Sequence, residues 1–188
     1  MFSQSGFTQD LPSRPKVGSP QNTYETWVLD RQRDSIYKVE IKDIEGIFDK
    51  PKYTKEYAKD LATYEDKYEK PREVYIGQPL FSKDGKAVVN ITSQDYKDRW
   101  IMSLDLTNGQ LNLIDRQHDD AWIAGPGIGW FSWGVVEWID NETIWYKSEK
   151  SGYAHIYKSN INTGKSKALT KGDFEVSNVQ LSKDKKTF

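Results

Sequence analysis

The chain has 188 residues, with 27 Lys and Arg set against 28 Asp and Glu for a formal net charge of −1, and it contains no cysteine. That length supports one domain with a real core. The balanced charge offers no bulk attraction for nucleic acid or an anionic membrane, no stretch approaches a membrane span, and the lack of cysteine removes disulfides, thiol catalysis and thiolate metal sites.

Residues 1–22 are rich in Ser, Pro, Gly and Gln and read as an N-terminal arm over the surface. Phe2-Ser3-Gln4-Ser5-Gly6 lacks the charged and apolar regions of a signal peptide. Tyr24 to Leu29 alternates like a strand, and Asp30 to Ser35 supplies a charged turn. Ile36-Tyr37-Lys38-Val39-Glu40-Ile41 then opens a pattern that returns as Ile101-Met102-Ser103-Leu104-Asp105-Leu106 and Ile156-Tyr157-Lys158-Ser159-Asn160-Ile161. Each copy is followed by a glycine, Gly46, Gly109 or Gly164, and the last two run through a polar turn into Leu111–Ile114 and Ala168–Thr170. Strand, tight turn, strand is therefore the repeating unit.

Between the first two copies, Tyr57, Leu61, Tyr64 and Tyr68 fall at helical spacing, which predicts one helical insertion over about 54–69, bounded by Pro51 and Pro71. Its tyrosine stripe is expected to pack on the outside of a sheet; a docking surface for another domain is the alternative.

A second repeat fixes the register. Phe81-Ser82-Lys83-Asp84-Gly85-Lys86 recurs as Leu181-Ser182-Lys183-Asp184-Lys185-Lys186, with a looser copy at Trp138-Ile139-Asp140-Asn141-Glu142. Each reads as a hairpin leading into a β-rich strand, Ala87–Thr92 and Thr143–Lys147 after the first and the looser copies. Spacings of roughly 55 to 65 residues suit blades of a four-stranded propeller with insertions. The expected fold is all-β: a partial β-propeller of four-stranded antiparallel blades over residues 23–188, with full blades at Gln78–Ile114 and Gly134–Thr170 and partial ones at either end. An open arc is expected, because closure usually takes at least about four blades. The last repeat is interrupted at Phe188, which predicts a segment of a longer protein whose own start need not be Met1.

The chemistry begins with false matches. Gly129-Trp130-Phe131-Ser132-Trp133-Gly134 has an aromatic residue two before the serine, where a nucleophile elbow needs glycine for its strained turn. Of the two histidines, His155 lies inside the third copy where the second has Trp100, and reads as a packing residue. His118, in Asp115-Arg116-Gln117-His118-Asp119-Asp120, has carboxylates beside it, but without a second histidine at ligand spacing a solvated loop between blades is the better reading. Neither a metal nor a cofactor is expected.

The loop Ala121-Trp122-Ile123-Ala124-Gly125-Pro126-Gly127-Ile128-Gly129-Trp130-Phe131-Ser132-Trp133 carries three glycines, a proline and four aromatics. A strand rather than a helix follows it, so phosphate binding is improbable. Two roles stay open: filling the space between blades, or gripping an apolar or peptide ligand.

Trp145-Tyr146-Lys147-Ser148-Glu149-Lys150-Ser151-Gly152-Tyr153-Ala154-His155-Ile156-Tyr157, with Ala168-Leu169-Thr170-Lys171-Gly172-Asp173-Phe174-Glu175-Val176, resembles the propeller of dipeptidyl peptidase IV and its prolyl oligopeptidase relatives. Pro15-Lys16-Val17-Gly18-Ser19-Pro20-Gln21-Asn22 resembles that family's P-K-x-G-x-x-N-P segment, so the likeness covers residues 14–188. It implies the N-terminal, substrate-gating and regulatory propeller of a serine exopeptidase acting on short peptides, inactive alone because the triad lies in a C-terminal α/β-hydrolase domain of the parent chain. It also implies a peptide substrate, a homodimer of the parent and an exported location. The family's amine-binding Glu-Glu pair would lie upstream, and no adjacent glutamates occur here. Phe131 aligns with an aromatic that walls the pocket beside the scissile residue, although Ser132 stands where the family has arginine. Phe131, Trp130 and Trp133 are thus the candidate substrate-binding residues. The alternative is a non-catalytic propeller binding module for protein or glycan partners.

Overall fold

The computed structural model describes residue 6 and residues 22–188, except 126, 130 and 131. Among these the architecture is all-β and antiparallel. Strands β1 (Trp27–Asp30) and β2 (Ser35–Lys38) form a hairpin. Next comes a sheet built from β3 (Val74–Ile76), β4 (Leu80–Phe81), β5 (Ala87–Ser93), β6 (Asp98–Leu104) and β7 (Leu111–His118). β3 and β4 pair with opposite ends of β5, so they act as one edge strand broken at 77–79, where Gly77 still donates to Asn90 and Pro79 has no N–H to give. The sheet is in effect a four-stranded meander. The loop strands β8 (Ile128–Gly129) and β9 (Ser132–Trp133) follow, and β10 (Val136–Trp138), β11 (Thr143–Ser148), β12 (His155–Asn160) and β13 (Ser166–Ala168) make a second four-stranded meander.

The two meanders pack face to face around a shared core. β5 reads Ala-Val-Val-Asn-Ile-Thr-Ser and is buried throughout, which its near-continuous β-branched run permits only if both faces are covered. Ala87, Val89 and Ile91 face one way, into a core with Val39, Ile44, Ile47, Trp100 and Met102. Val88 faces the other way and, with Ile101 and Ile114, meets Val136, Ile144, Tyr146 and Tyr157 of the second meander. The far side of that meander holds a third core of Trp145, Ile156 and Leu181. Each such side chain contributes about 1.5–3 kcal/mol when fully buried.

The repeats have a common hydrogen-bonding chemistry. Asp105 Oδ1 accepts from the Thr107 amide, and Asn160 Oδ1 accepts from the Asn162 and Thr163 amides, so both β-turns are closed by an Asx side chain and finished by Gly109 or Gly164 at positive φ. In the second repeat, Ser82 Oγ donates to Asp84 and accepts from Lys86 N, while Ser182 Oγ donates to Asp184 and accepts from Thr187 N. Gly85 (φ 87°) and Lys185 (φ 62°) occupy the same left-handed position.

Two expectations change. The insertion winds only a 3-10 turn at Lys52–Lys55, then proceeds through turns and bends instead of a helix over 54–69. No side chain caps its start, Asp60 Oδ1 takes the Ala62 amide into a competing Asx turn, and Tyr57 (79% exposed) and Leu61 (65%) find no apolar face to bury against. The segment is instead tied to 48–50, through Tyr68 N to Phe48 O and Lys50 N to Asp66 O. The first repeat copy also stops as a strand at Lys38, and the chain turns at 42–48 to place Ile44 and Ile47 in the first core. The arm 1–22, save residues 6 and 22, lies outside the described residues. No helix among the described residues is long and apolar enough to cross a membrane.

Candidate functional site

Among the described residues, the ends of β5, β6, β7 and β11 and the loops at 94–97, 119–125 and 149–154 lie at one edge of the stacked sheets, and the unusual polar chemistry is concentrated there. Its first element is Asp98, at the start of β6 and fully buried. Ser93 Oγ accepts from the Asp98 amide and donates to the Asp98 carbonyl, which pins the residue across the β5–β6 turn. The carboxylate then takes Arg72 Nη2 at 2.6 Å, Arg116 Nε at 2.9 Å and His118 Nδ1 at 3.0 Å. Arg72 reaches on to Asp95 at 3.1 Å and Arg116 to Asp49 at 3.1 Å. A buried carboxylate with several charged donors offsets its desolvation where an isolated one could not.

His118 therefore ends β7 rather than lying in a solvated loop, because its pairing with Asp98 extends the strand through that residue. Its Nε2 lies 3.3 Å from Asp120 Oδ1, and the Lys52 hydrogen bond, followed by that of His118, lowers the Asp120 pKa. The other two neighbouring carboxylates, Asp115 and Asp119, turn away from the imidazole. Strand alternation sends Asp115 to the opposite face, where Lys150 Nζ binds it at 2.8 Å, and Asp119 caps the Ala121 amide. No three His, Asp or Glu among the described residues are grouped to hold a metal. His155 is a packing residue as read: it is 2% exposed, its Nδ1 meets Thr170 Oγ1 at 3.1 Å, its Nε2 meets the Gly172 carbonyl at 2.9 Å, and Phe174 packs edge-on against the ring.

A second element, which the sequence reading missed, lies between the two meanders. Arg99 is 1% exposed, on the face of β6 opposite Asp98. Its Nε donates to Asn90 Oδ1 at 3.1 Å, and its Nη1 to Gln117 Oε1 at 3.1 Å and the Lys147 carbonyl at 3.3 Å. Burial depresses its pKa to about 10, against the opposing pull of Asp115. Lys147, on β11, is 3% exposed; burial and then the charge of Arg99 lower its pKa, and its Nζ donates to the Ser177 carbonyl at 2.7 Å. The signal in sequence was two cations, Arg99 and Lys147, in strands otherwise made of core residues. A cavity of about 110 Å³, lined in part by Gln117, His118, Asp119, Ile128, Glu149 and Lys150, touches this pair only through Gln117.

The aromatic loop returns over this edge. Ile128 pairs with Trp133 and Gly129 with Ser132, and Ser132 Oγ closes the turn onto the Gly127 carbonyl at 2.6 Å. Of the three candidate substrate-binding residues, Trp130 and Phe131 fall outside the described residues, and Trp133 is described by its strand pairing only. Trp122 at the loop's start is 69% exposed, so it does not fill an interblade core.

The family described as the dipeptidyl peptidase IV (DPP IV) N-terminal region matches residues 13–188. This chain belongs to that family. The DPP IV N-terminal region match takes in the hairpin, the insertion, both meanders and the loop edge. Among solved structures, the chain is similar to a Bacteroides ovatus ATCC 8483 protein assigned as a dipeptidyl aminopeptidase IV, at 14% identity and a TM-score of 0.49, covering 87% of this chain and 26% of that one. The chain thus spans about a quarter of that protein's length. No curated protein matches it.

Proposed function

We propose that this member of the DPP IV N-terminal region family is the substrate-gating part of a serine exopeptidase, a partial propeller that admits short peptides to an α/β-hydrolase domain elsewhere in the parent chain and is inactive alone. Membership of the family over residues 13–188 carries the reading. The histidine geometry supports it. A triad needs an imidazole free to take a proton from a serine held against it, whereas His155 is engaged at both nitrogens by Thr170 and Gly172, and His118 lies between Asp98 and Asp120. The acyl-transfer chemistry then belongs to the partner domain. In this reading Phe131, Trp130 and Trp133 form the apolar wall beside the substrate.

The test uses the parent protein and this chain side by side, with peptide p-nitroanilides of increasing length. The parent should cleave short substrates, this chain none, and Phe131→Ala in the parent should raise KM at least about tenfold, the loss of one apolar side-chain contact of ~1.5 kcal/mol or more. A parent without peptidase activity, or a Phe131→Ala parent with unchanged KM and kcat, would overturn the respective part of the proposal.

A further inference from the structure

A groove of about 1050 Å³ runs between the insertion and the turn from β5 to β6. Ala58, Tyr64, Tyr68 and Pro71 give it an apolar wall, and Thr23 and Gln94 also line it. The two tyrosines are already held in place: Lys50 Nζ lies 5.1 Å from the Tyr64 ring and 5.5 Å from the Tyr68 ring, and Tyr64 Oη shares a hydrogen bond with Thr54 Oγ1 at 2.6 Å. Five basic and five acidic side chains in the lining cancel, so the groove suits an occupant without strong charge of either sign.

Two observations point to the chain's own N-terminal arm. The first is where the arm joins the body. Asn22 O accepts from Gln94 Nε2 at 2.9 Å, Thr23 lines the groove, and the Tyr24 ring packs on Tyr75 of β3 with centroids 5.4 Å apart, so the chain preceding Asn22 starts at the groove itself. The second is Gln94 Oε1, which is buried and has no hydrogen-bond partner among the described residues. A side-chain amide can take the C=O and the N–H of an extended backbone together, and here only its donor half is used, on Asn22. A buried acceptor left without a donor is costly, and Gln21 and Ser19 each bring an N–H to the neighbouring stretch of arm.

The arm also has the composition for such a wall. Leu11-Pro12-Ser13-Arg14-Pro15-Lys16-Val17-Gly18-Ser19-Pro20 carries three prolines, two of them in a P-x-x-P spacing. Proline-rich segments of this kind are extended before they bind, lose little entropy on docking, and lie against aromatic-lined grooves. At ~3.1 Å per residue in that conformation, Pro15 can lie about 25 Å from Thr23 and Pro12 about 34 Å, long enough to span a groove of this volume.

We propose that residues 12–21 lie in this groove as a strap, with an arm N–H on Gln94 Oε1 and the Pro12-Ser13-Arg14-Pro15 run against Tyr64 and Tyr68. The strap fastens the insertion, which has no long helix of its own, to the β5–β6 turn. It is independent of the peptidase reading, since it needs neither a hydrolase domain nor a substrate.

The test uses the full chain, whose lack of cysteine allows a nitroxide label on a single introduced thiol. A label on Lys59→Cys, in the groove lining, should broaden the non-proline amide signals of residues 13–21 beyond detection at every protein concentration, whereas a label on Lys83→Cys, in the turn at the opposite end of β5, should not. Gln94→Ala should raise the undocked fraction at least about fivefold, the loss of one ordinary hydrogen bond. Pro12→Gly with Pro15→Gly, confined to the arm and so harmless to the sheets, should also raise it and serves if the Gln94 variant does not fold. No broadening from the Lys59 position, equal broadening from both positions, or broadening unchanged in the Gln94 and proline variants would each overturn the proposal. Broadening that grows with protein concentration would assign the groove to the arm of a second copy and overturn it as well.

Discussion

Replacing Asp98 by alanine should be among the most damaging single changes to this chain. The residue is fully buried and receives Arg72, Arg116 and His118. Removing one member of a buried, hydrogen-bonded ion pair costs about 3–5 kcal/mol, because the remaining charge stays out of water without compensation. Here the relief is partial. The Arg72 side chain, only 6% exposed, keeps Asp95 at 3.1 Å and the Gly46 carbonyl at 2.8 Å, and Arg116 keeps Asp49 at 3.1 Å, while the His118 side chain is 42% exposed. The lower end, about 3 kcal/mol, is therefore expected, which is a large share of the ~5–15 kcal/mol that holds a domain folded. In urea the midpoint should fall with an unchanged slope, and the melting temperature should drop by about 6–12 °C at ~2–4 °C per kcal/mol for a chain of this size. Asp120→Ala, which removes only the exposed ends of the network, should leave the midpoint nearly unmoved. A loss below about 1 kcal/mol for Asp98→Ala, or equal effects from the two variants, would refute the view that Asp98 organises this edge.

Lys185→Gly should stabilise the chain by about 1 kcal/mol in chemical denaturation, since it places at φ 62° the residue type its counterpart Gly85 already has there; a destabilisation would show that the lysine side chain does more than tolerate the turn. Glu149 carries a raised pKa from burial, then from Glu175 and Asp119. A carboxyl raised on folding binds more protons in the native state, so its penalty is fully present above the folded pKa and absent below the unfolded value. Glu149→Gln should therefore gain stability over the wild type at neutral pH, with the difference closing as pH falls through the raised folded pKa and gone below the ordinary value of 4.5. A gain that is constant with pH would mean that packing rather than charge sets the effect.

The sheets were legible because their signals are local. Ser82-Lys83-Asp84-Gly85 and Asn160–Gly164 close their turns with their own side chains, and β5 and β11 have the β-branched and aromatic runs that covered strands require. The insertion was misread because a 3.6-residue tyrosine period states only that a helix could present one face, not that any surface waits to receive it. Tyr57 and Leu61 stayed in solvent, and pairing with 48–50 satisfied the backbone instead. At the candidate site, the histidines could be weighed from their neighbours in sequence, but Asp98 gathers Arg72 from 26 positions away, and Arg99 meets Lys147 across 48. Contacts of that span exist only once the chain has folded, and the second only once the two sheets have packed together.

The placement of the cores has a practical consequence for anyone dividing this chain. Val88, Ile101 and Ile114 belong to one meander and Ile144, Tyr146 and Tyr157 to the next, yet they make a single core between them. Neither sheet owns the apolar surface it depends on. A cut near residue 120, which looks like a natural seam in a loop, would split that shared interior and leave each half with a greasy face, a template for aggregation rather than a smaller stable unit.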